Sequence, residues 1–234
     1  MNGNPYQTPP PPDGRPPAWT PLDEYLWHTC EILADLAEGR LDQRPLVPTT
    51  ARLAAGDHAL AVGPAQRFTW RALSDGGYPQ STMIAFGSPL FVAGSMAGAA
   101  IGNASRRRQA ELAAQPRWVP DGMAELTITR RAAYHGLPSS PLGLQWDGLI
   151  SIDLAGPDLF VVGFAGRSGR TYLVQLQTPW ASMMFALAAL TAFPTHPRLL
   201  GGTWLPPDFE HRCALLGRPC RPAARMLPGT RLGY

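Results

Sequence analysis

The sequence predicts an α+β fold on three observations. Short alternating apolar runs from Ala59 to Leu176 read as strands, a charge-free stretch between Arg170 and Arg198 reads as a buried strand and helix, and an earlier charge-free segment carries glycines at helical spacing. The 234 residues are 45% hydrophobic and 16% charged, with 3 Cys, which excludes a disulfide scaffold, a coiled coil and a highly charged disordered chain. All 20 basic residues are Arg, and the net charge of +3 is too small an excess for dense phosphate contacts. Nucleic acid is therefore not expected as a partner.

Residues 1–19 are polar and Pro-rich, with Pro9 to Pro12 and Pro16-Pro17, and are expected to form a disordered tail. They lack the basic segment and apolar run of a secretory signal, so a cytoplasmic location is expected. Thr20-Pro21 offers an N-cap and first-turn proline, Asp23 and Glu24 sit in the first turn, and Gly39 closes the segment. Leu22, Leu26, Leu33 and Ala37 share one stripe, which makes 20–39 an amphipathic helix that docks on something. Residues 40–55, with Pro45 and Pro48, read as linker.

Ala59, Ala61, Phe68 and Trp70 lie in two short runs separated at Gly63-Pro64, a pattern of two strands and a tight turn. Leu126 to Tyr134 and Leu149 to Leu154 alternate as strands. Phe160 to Phe164 and Tyr172 to Leu176 flank a glycine-rich turn as a hairpin. Thr178 and Pro179 then cap and begin a helix that ends before Pro194. Its bulky face carries Trp180, Met183, Met184, Leu187 and Leu190, while Ala181, Ala186, Ala189 and Ala192 make a second, small-residue face. A helix with two apolar faces needs two neighbours. Residues 198–234 form an Arg- and Pro-rich tail, expected to be solvated, in which Arg212, Arg218, Arg221, Arg225 and Arg231 outnumber Asp208 and Glu210.

Met83 to Gly102 carries no charge and spaces Gly94, Gly98 and Gly102 by four, so the three glycines make one groove for close helix packing. The helix expected from Pro89 has roughly 21 Å of apolar length against about 30 Å of hydrocarbon, too short to span a bilayer. Its expected neighbour is the alanine face of the later helix, with Ala181, Phe185 and Ala189 as packing or interface residues, within one chain or between two. An alternative uses this helix as an interfacial or inserted membrane segment, with Arg106, Arg107 and Arg108 contacting an anionic surface at the inner face of the membrane.

The chemistry needed for an enzyme is not legible. There is no phosphate-cradling loop with Lys and no nucleophile elbow, and Asp147, Asp153 and His135 make no acid/base pair. His28 with Cys30, and His211 with Cys213 and Cys220, contain zinc-type ligands, but His28 and Cys30 stand two apart on a helix and point away from each other. Neither catalytic residues, a metal nor a cofactor is expected.

From Arg117-Trp118 to the last helix, the pattern resembles bacterial PH-like and GRAM-like domains. It matches in the strand ending Leu126-Thr127-Ile128-Thr129-Arg130-Arg131, the tryptophan before an isoleucine-rich strand at Trp146 to Ile152, the hairpin and the terminal amphipathic helix. Gly56 to Leu60 is similar to the opening strand. The Asn103 to Arg107 and Pro116 to Trp118 stretches resemble those of actinobacterial proteins with the same layout. The resemblance covers roughly 56–197 and implies a strongly bent sheet or partial barrel plugged by its last helix, with 83–115 as a helical insertion between the second and third strands. It also implies a non-catalytic module for protein–protein association or self-assembly. Phosphoinositide-binding members carry a basic cluster in the turn after the first strand, where this chain has Gly63-Pro64-Ala65-Gln66 and only Arg67 nearby.

Overall fold

The computed structural model describes residues 18–72, 114–166 and 169–227. It divides into one compact unit of residues 1–67 and 121–234 and a second of residues 68–120. Gly94, Gly98, Gly102 and Arg106 to Arg108 all lie outside the described residues.

Among the described residues seven strands form one open sheet: β1 (Ala59–Arg71), β2 (Arg117–Thr129), β3 (Ala132–His135), β4 (Leu142–Gln145), β5 (Leu149–Gly156), β6 (Leu159–Ala165) and β7 (Thr171–Gln177). Their order is β4-β3-β2-β1-β7-β6-β5. Two antiparallel meanders, β2 to β4 and β5 to β7, thus flank β1, and β4 and β5 end the order of the described strands. In the second unit, the Trp70 and Trp118 rings meet edge to face at 5.3 Å.

Two strand expectations are corrected. The pair of strands expected across Gly63-Pro64 is one continuous β1. Residues 72–116 therefore lie between the first and second of the described strands, not the second and third. Gly63 marks a close approach: a Cβ there would lie 2.7 Å from Nε1 of Trp180, whose indole donates to the Val62 carbonyl at 3.2 Å. The dipeptide that reads as a turn is thus the seat of an indole. The run Leu126 to Tyr134 is likewise a hairpin. Thr129 Oγ1 accepts from the amides of Arg131 (3.2 Å) and Ala132 (3.0 Å), a side-chain turn that breaks the strand between two alternating runs.

Helix α1 spans Pro21–Ala37. The Thr20 hydroxyl accepts from the Asp23 amide at 3.2 Å, and the Asp23 carboxylate accepts from the Thr20 amide at 2.9 Å, a reciprocal cap. At the other end Gly39, at φ +70°, lets its own amide reach the Leu36 carbonyl and the next amide reach Asp35. Helix α2 spans Ala181–Ala192, two residues later than the sequence suggests, because Pro179 lies in the turn before it and Thr178 Oγ1 meets the Trp180 amide at 3.4 Å. Its residues from Ala181 to Leu190 are all buried.

The core gathers Ile152, Leu154, Phe160, Val162, Val174 and Leu176 of the sheet with α2, and Leu26 and Leu33 of α1. Both faces of α2 are occupied: β5 and β6 lie against it, as do α1 and the turn at Trp146. A buried Ser182 hydroxyl also donates to the Trp204 carbonyl at 2.9 Å. Ala181, Phe185 and Ala189 are consequently enclosed within one chain and offer no surface to a second.

The expected solvated tail is also corrected over residues 198–227. Three short helices, α3 (Pro197–Leu200), α4 (Phe209–Leu215) and α5 (Ala223–Met226), return to the core, burying Leu199, Trp204, Phe209, Cys213, Ala223 and Leu227. Their arginines neutralise α1: Arg212 pairs with Asp23 at 2.7 Å, Arg218 with Glu24, and Arg221 with Glu31 and Asp35 at 3.0 and 2.8 Å. Among the described residues, no helix is long and apolar enough to cross a membrane.

Candidate functional site

Two adjoining hollows, of about 280 and 480 Å³, share Pro64 of β1 and Met123 of β2. The larger runs from Leu22 and Tyr25 on the first turns of α1 to Pro179 after β7. Its position follows from local chemistry. The reciprocal cap fixes where α1 begins, and the Tyr25 ring stands edge to face on Trp180 at 4.9 Å. Gly63 admits that indole to β1, which ties the helix, the strand and the turn after β7 together. Met123 is 66% exposed, an unbranched apolar side chain left at the surface of the hollow.

The rim is acidic. Glu125 accepts from the Thr50 hydroxyl at 2.7 Å, the Thr50 amide at 3.0 Å and the Thr49 hydroxyl at 3.3 Å. These donors hold its carboxyl below the ordinary glutamate range, so it is ionised at neutral pH. They also pin residues 49–50, expected as linker, to β2. Asp158 accepts from Gln177 Nε2 at 3.2 Å and supports the turn through its carbonyl, which receives the Thr178 amide at 2.8 Å. Among the described residues, Glu125 and Asp158 are the charged ones lining the two hollows.

A buried polar group lies beside the groove. Arg67 pairs with Asp121 at 3.0 Å, both side chains being almost wholly enclosed, and donates to the Ser140 carbonyl at 2.7 Å. His135 Nε2 meets the Ala65 carbonyl at 3.0 Å. Burial holds the imidazole below its ordinary pKa, with the Arg67 charge acting in the same direction. Arg67, the cation nearest the turn where the resembled family gathers its basic cluster, is therefore engaged by an internal carboxylate.

Of the residues singled out from sequence, Ala181, Phe185 and Ala189 are core, with the Phe185 ring edge to face on His196 at 4.9 Å. The zinc-type set is only partly assembled. Cys30, Cys213 and Cys220 come together, while His28 is directed to Glu24 at 3.4 Å. Among the described residues, no group of three or more His, Cys, Asp or Glu side chains is placed to hold a metal ion. Tyr25, Met123 and Asp158 carry no sequence signal, because the groove is built from five separated segments and each residue is ordinary in its own. Compared with known proteins, the chain matches no family model, no curated protein and no solved structure.

Proposed function

We propose that this chain is a non-catalytic interaction module of PH-like architecture, and that it binds an extended segment of a partner protein in the groove around Met123. The architecture is supported by the strand order, in which β1 stands between two meanders, and by the helix that follows the last strand onto the core. The observation that carries the binding reading is the pairing of an apolar floor, made by Leu22, Tyr25, Pro64, Met123 and Pro179, with a rim whose charges, among the described residues, are carboxylates. An apolar floor with a polar rim is the general anatomy of protein interfaces. The complementary ligand presents apolar side chains flanked by Arg or Lys.

A randomised library of displayed peptides, selected on the full chain, tests this. The expected result is enrichment of apolar sequences with flanking basic residues, abolished by Met123→Arg and weakened by Asp158→Asn, with unchanged melting of both variants. Peptides that bind Met123→Arg as well as the parent would overturn the proposal. A concentration-dependent dimer that Met123→Arg dissolves would overturn it too, assigning the groove to a second copy of this chain.

A further inference from the structure

The three cysteines stand far apart in the chain, at 30, 213 and 220, and all are free thiols. The fold brings them to one place. Trp27 Nε1 donates to the Pro219 carbonyl at 3.4 Å, while the Arg221 amide and Nε both reach the Glu31 carboxylate at 3.0 Å and its guanidinium reaches the Glu31 carbonyl at 2.7 Å. Cys220 is thus bracketed by residues anchored at 27 and 31, positions one turn apart on α1, and Cys30 lies on the stretch between them. The Cys220 thiol interacts with those of Cys30 and Cys213. Cys30 and Cys213 are fully enclosed, and Cys220 is the partly exposed member.

We propose that Cys220 and Cys30 form a peroxide-responsive dithiol whose disulfide joins the C-terminal segment to α1. The division of labour follows from the burial of Cys30 and Cys213 against the partial exposure of Cys220, and from the thiol contacts. The Cys30 thiol, and then that of Cys213, holds the Cys220 thiol below its ordinary range, while Cys30 is pushed up by the same contact and by burial. Cys213 is pushed up to about 12, by burial and by the neighbouring Cys220. The thiolate is the nucleophile, so the accessible sulfur is also the one that ionises first. Cys220 attacks one oxygen of hydrogen peroxide and the O–O bond breaks. The departing hydroxide takes up a proton equivalent to the one lost by the thiol, giving water and a sulfenic acid. The Cys30 sulfur then attacks the sulfenic sulfur, the S–O bond breaks, and the Cys30 proton leaves with that hydroxide as a second water. Two thiols are oxidised to one disulfide and one peroxide is reduced to two waters.

The test is peroxide treatment of the full chain followed by intact mass and non-reducing peptide mapping. The expected result is loss of two hydrogens, a Cys30–Cys220 cross-link, and reversal by dithiothreitol. In the Cys30→Ser, Cys213→Ser double variant the reaction stops at the sulfenic acid, which dimedone labels at Cys220. A chain whose mass is unchanged at peroxide levels that oxidise a free thiol, or a map that links Cys213 to Cys220, would overturn the proposal. The parent chain alone decides these two outcomes, so a poorly folded double variant does not blunt the test. The dithiol is independent of the groove around Met123, and neither proposal falls with the other.

Discussion

Among the described residues, the two long helices are held in opposite ways. Helix α2 has no charged residue and is surrounded by sheet, α1 and the returning C-terminal segment, so burial holds it. Helix α1 buries Leu26, Cys30, Leu33 and Leu36, but its acidic residues are gripped from outside by Arg212, Arg218 and Arg221, with Arg218 also over the Trp19 and Trp27 rings at 4.8 and 5.2 Å. One seam rests on non-directional apolar contact and the other on charge geometry. They should therefore respond to different perturbations.

The largest effect is expected from Phe185→Ala, which empties a fully enclosed site and costs about 3–5 kcal/mol in denaturant unfolding, with little dependence on salt. Loss of less than about 1 kcal/mol would show that the α2 seam can collapse around a void. Arg221→Ala removes bonds to Glu31 and Asp35 and is expected to cost about 1–3 kcal/mol. Limited proteolysis should then cut within 216–227 faster than in the parent, and Arg221→Lys should restore only part of the protection. If both variants resist cleavage equally, apolar burial alone holds the segment.

Acid sharpens the contrast by a smaller amount. Burial alone would raise the Asp35 carboxyl, but Arg221 and Arg44 outweigh it and hold the group at about 2. The unfolded chain takes a proton near pH 4 that the folded chain refuses, so this contribution is complete above about pH 4 and is lost as pH falls toward 2. His135, held down by burial, acts with the same sign higher up: stability declines as pH drops below about 6.5. Melts from pH 7 to 3 should show both legs, with Asp35→Asn flattening the lower one. The smallest effect is expected for Arg198→Ala. That residue pairs with Asp153 at 2.8 Å, but both side chains are well exposed, and a change beyond about 1 kcal/mol would mark α3 as more firmly seated than its ion pair suggests.

The two seams also differ in how readable they are. Helix α2 and the β6–β7 hairpin announce themselves through unbroken apolar residues and a glycine-rich turn, signals that lie within a few positions of one another. The arginines of the C-terminal segment look like a solvated tail because their partners lie 186 to 190 positions away, as with Arg221 and residues 31 and 35, and its prolines break any period. Gly63-Pro64 misleads in the other direction, since a dipeptide that locally favours a turn is held in a strand by an indole from residue 180. The thiol cluster is half legible: the residue types stand out in the sequence, but only the docking of residue 220 on α1 brings the sulfurs together.

The clasp between α1 and residues 212–221 has a kinetic consequence. A ribosome adding about 5–20 residues per second needs roughly 10–40 s to travel from α1 to its arginine partners. During that interval α1 has its own cap but not the segment that neutralises its acidic face. The contact closes a loop of nearly the full described chain, and such late, non-local closure slows folding more than it weakens the final state. The nascent protein is thus exposed longest at the seam that, once made, is held by charge.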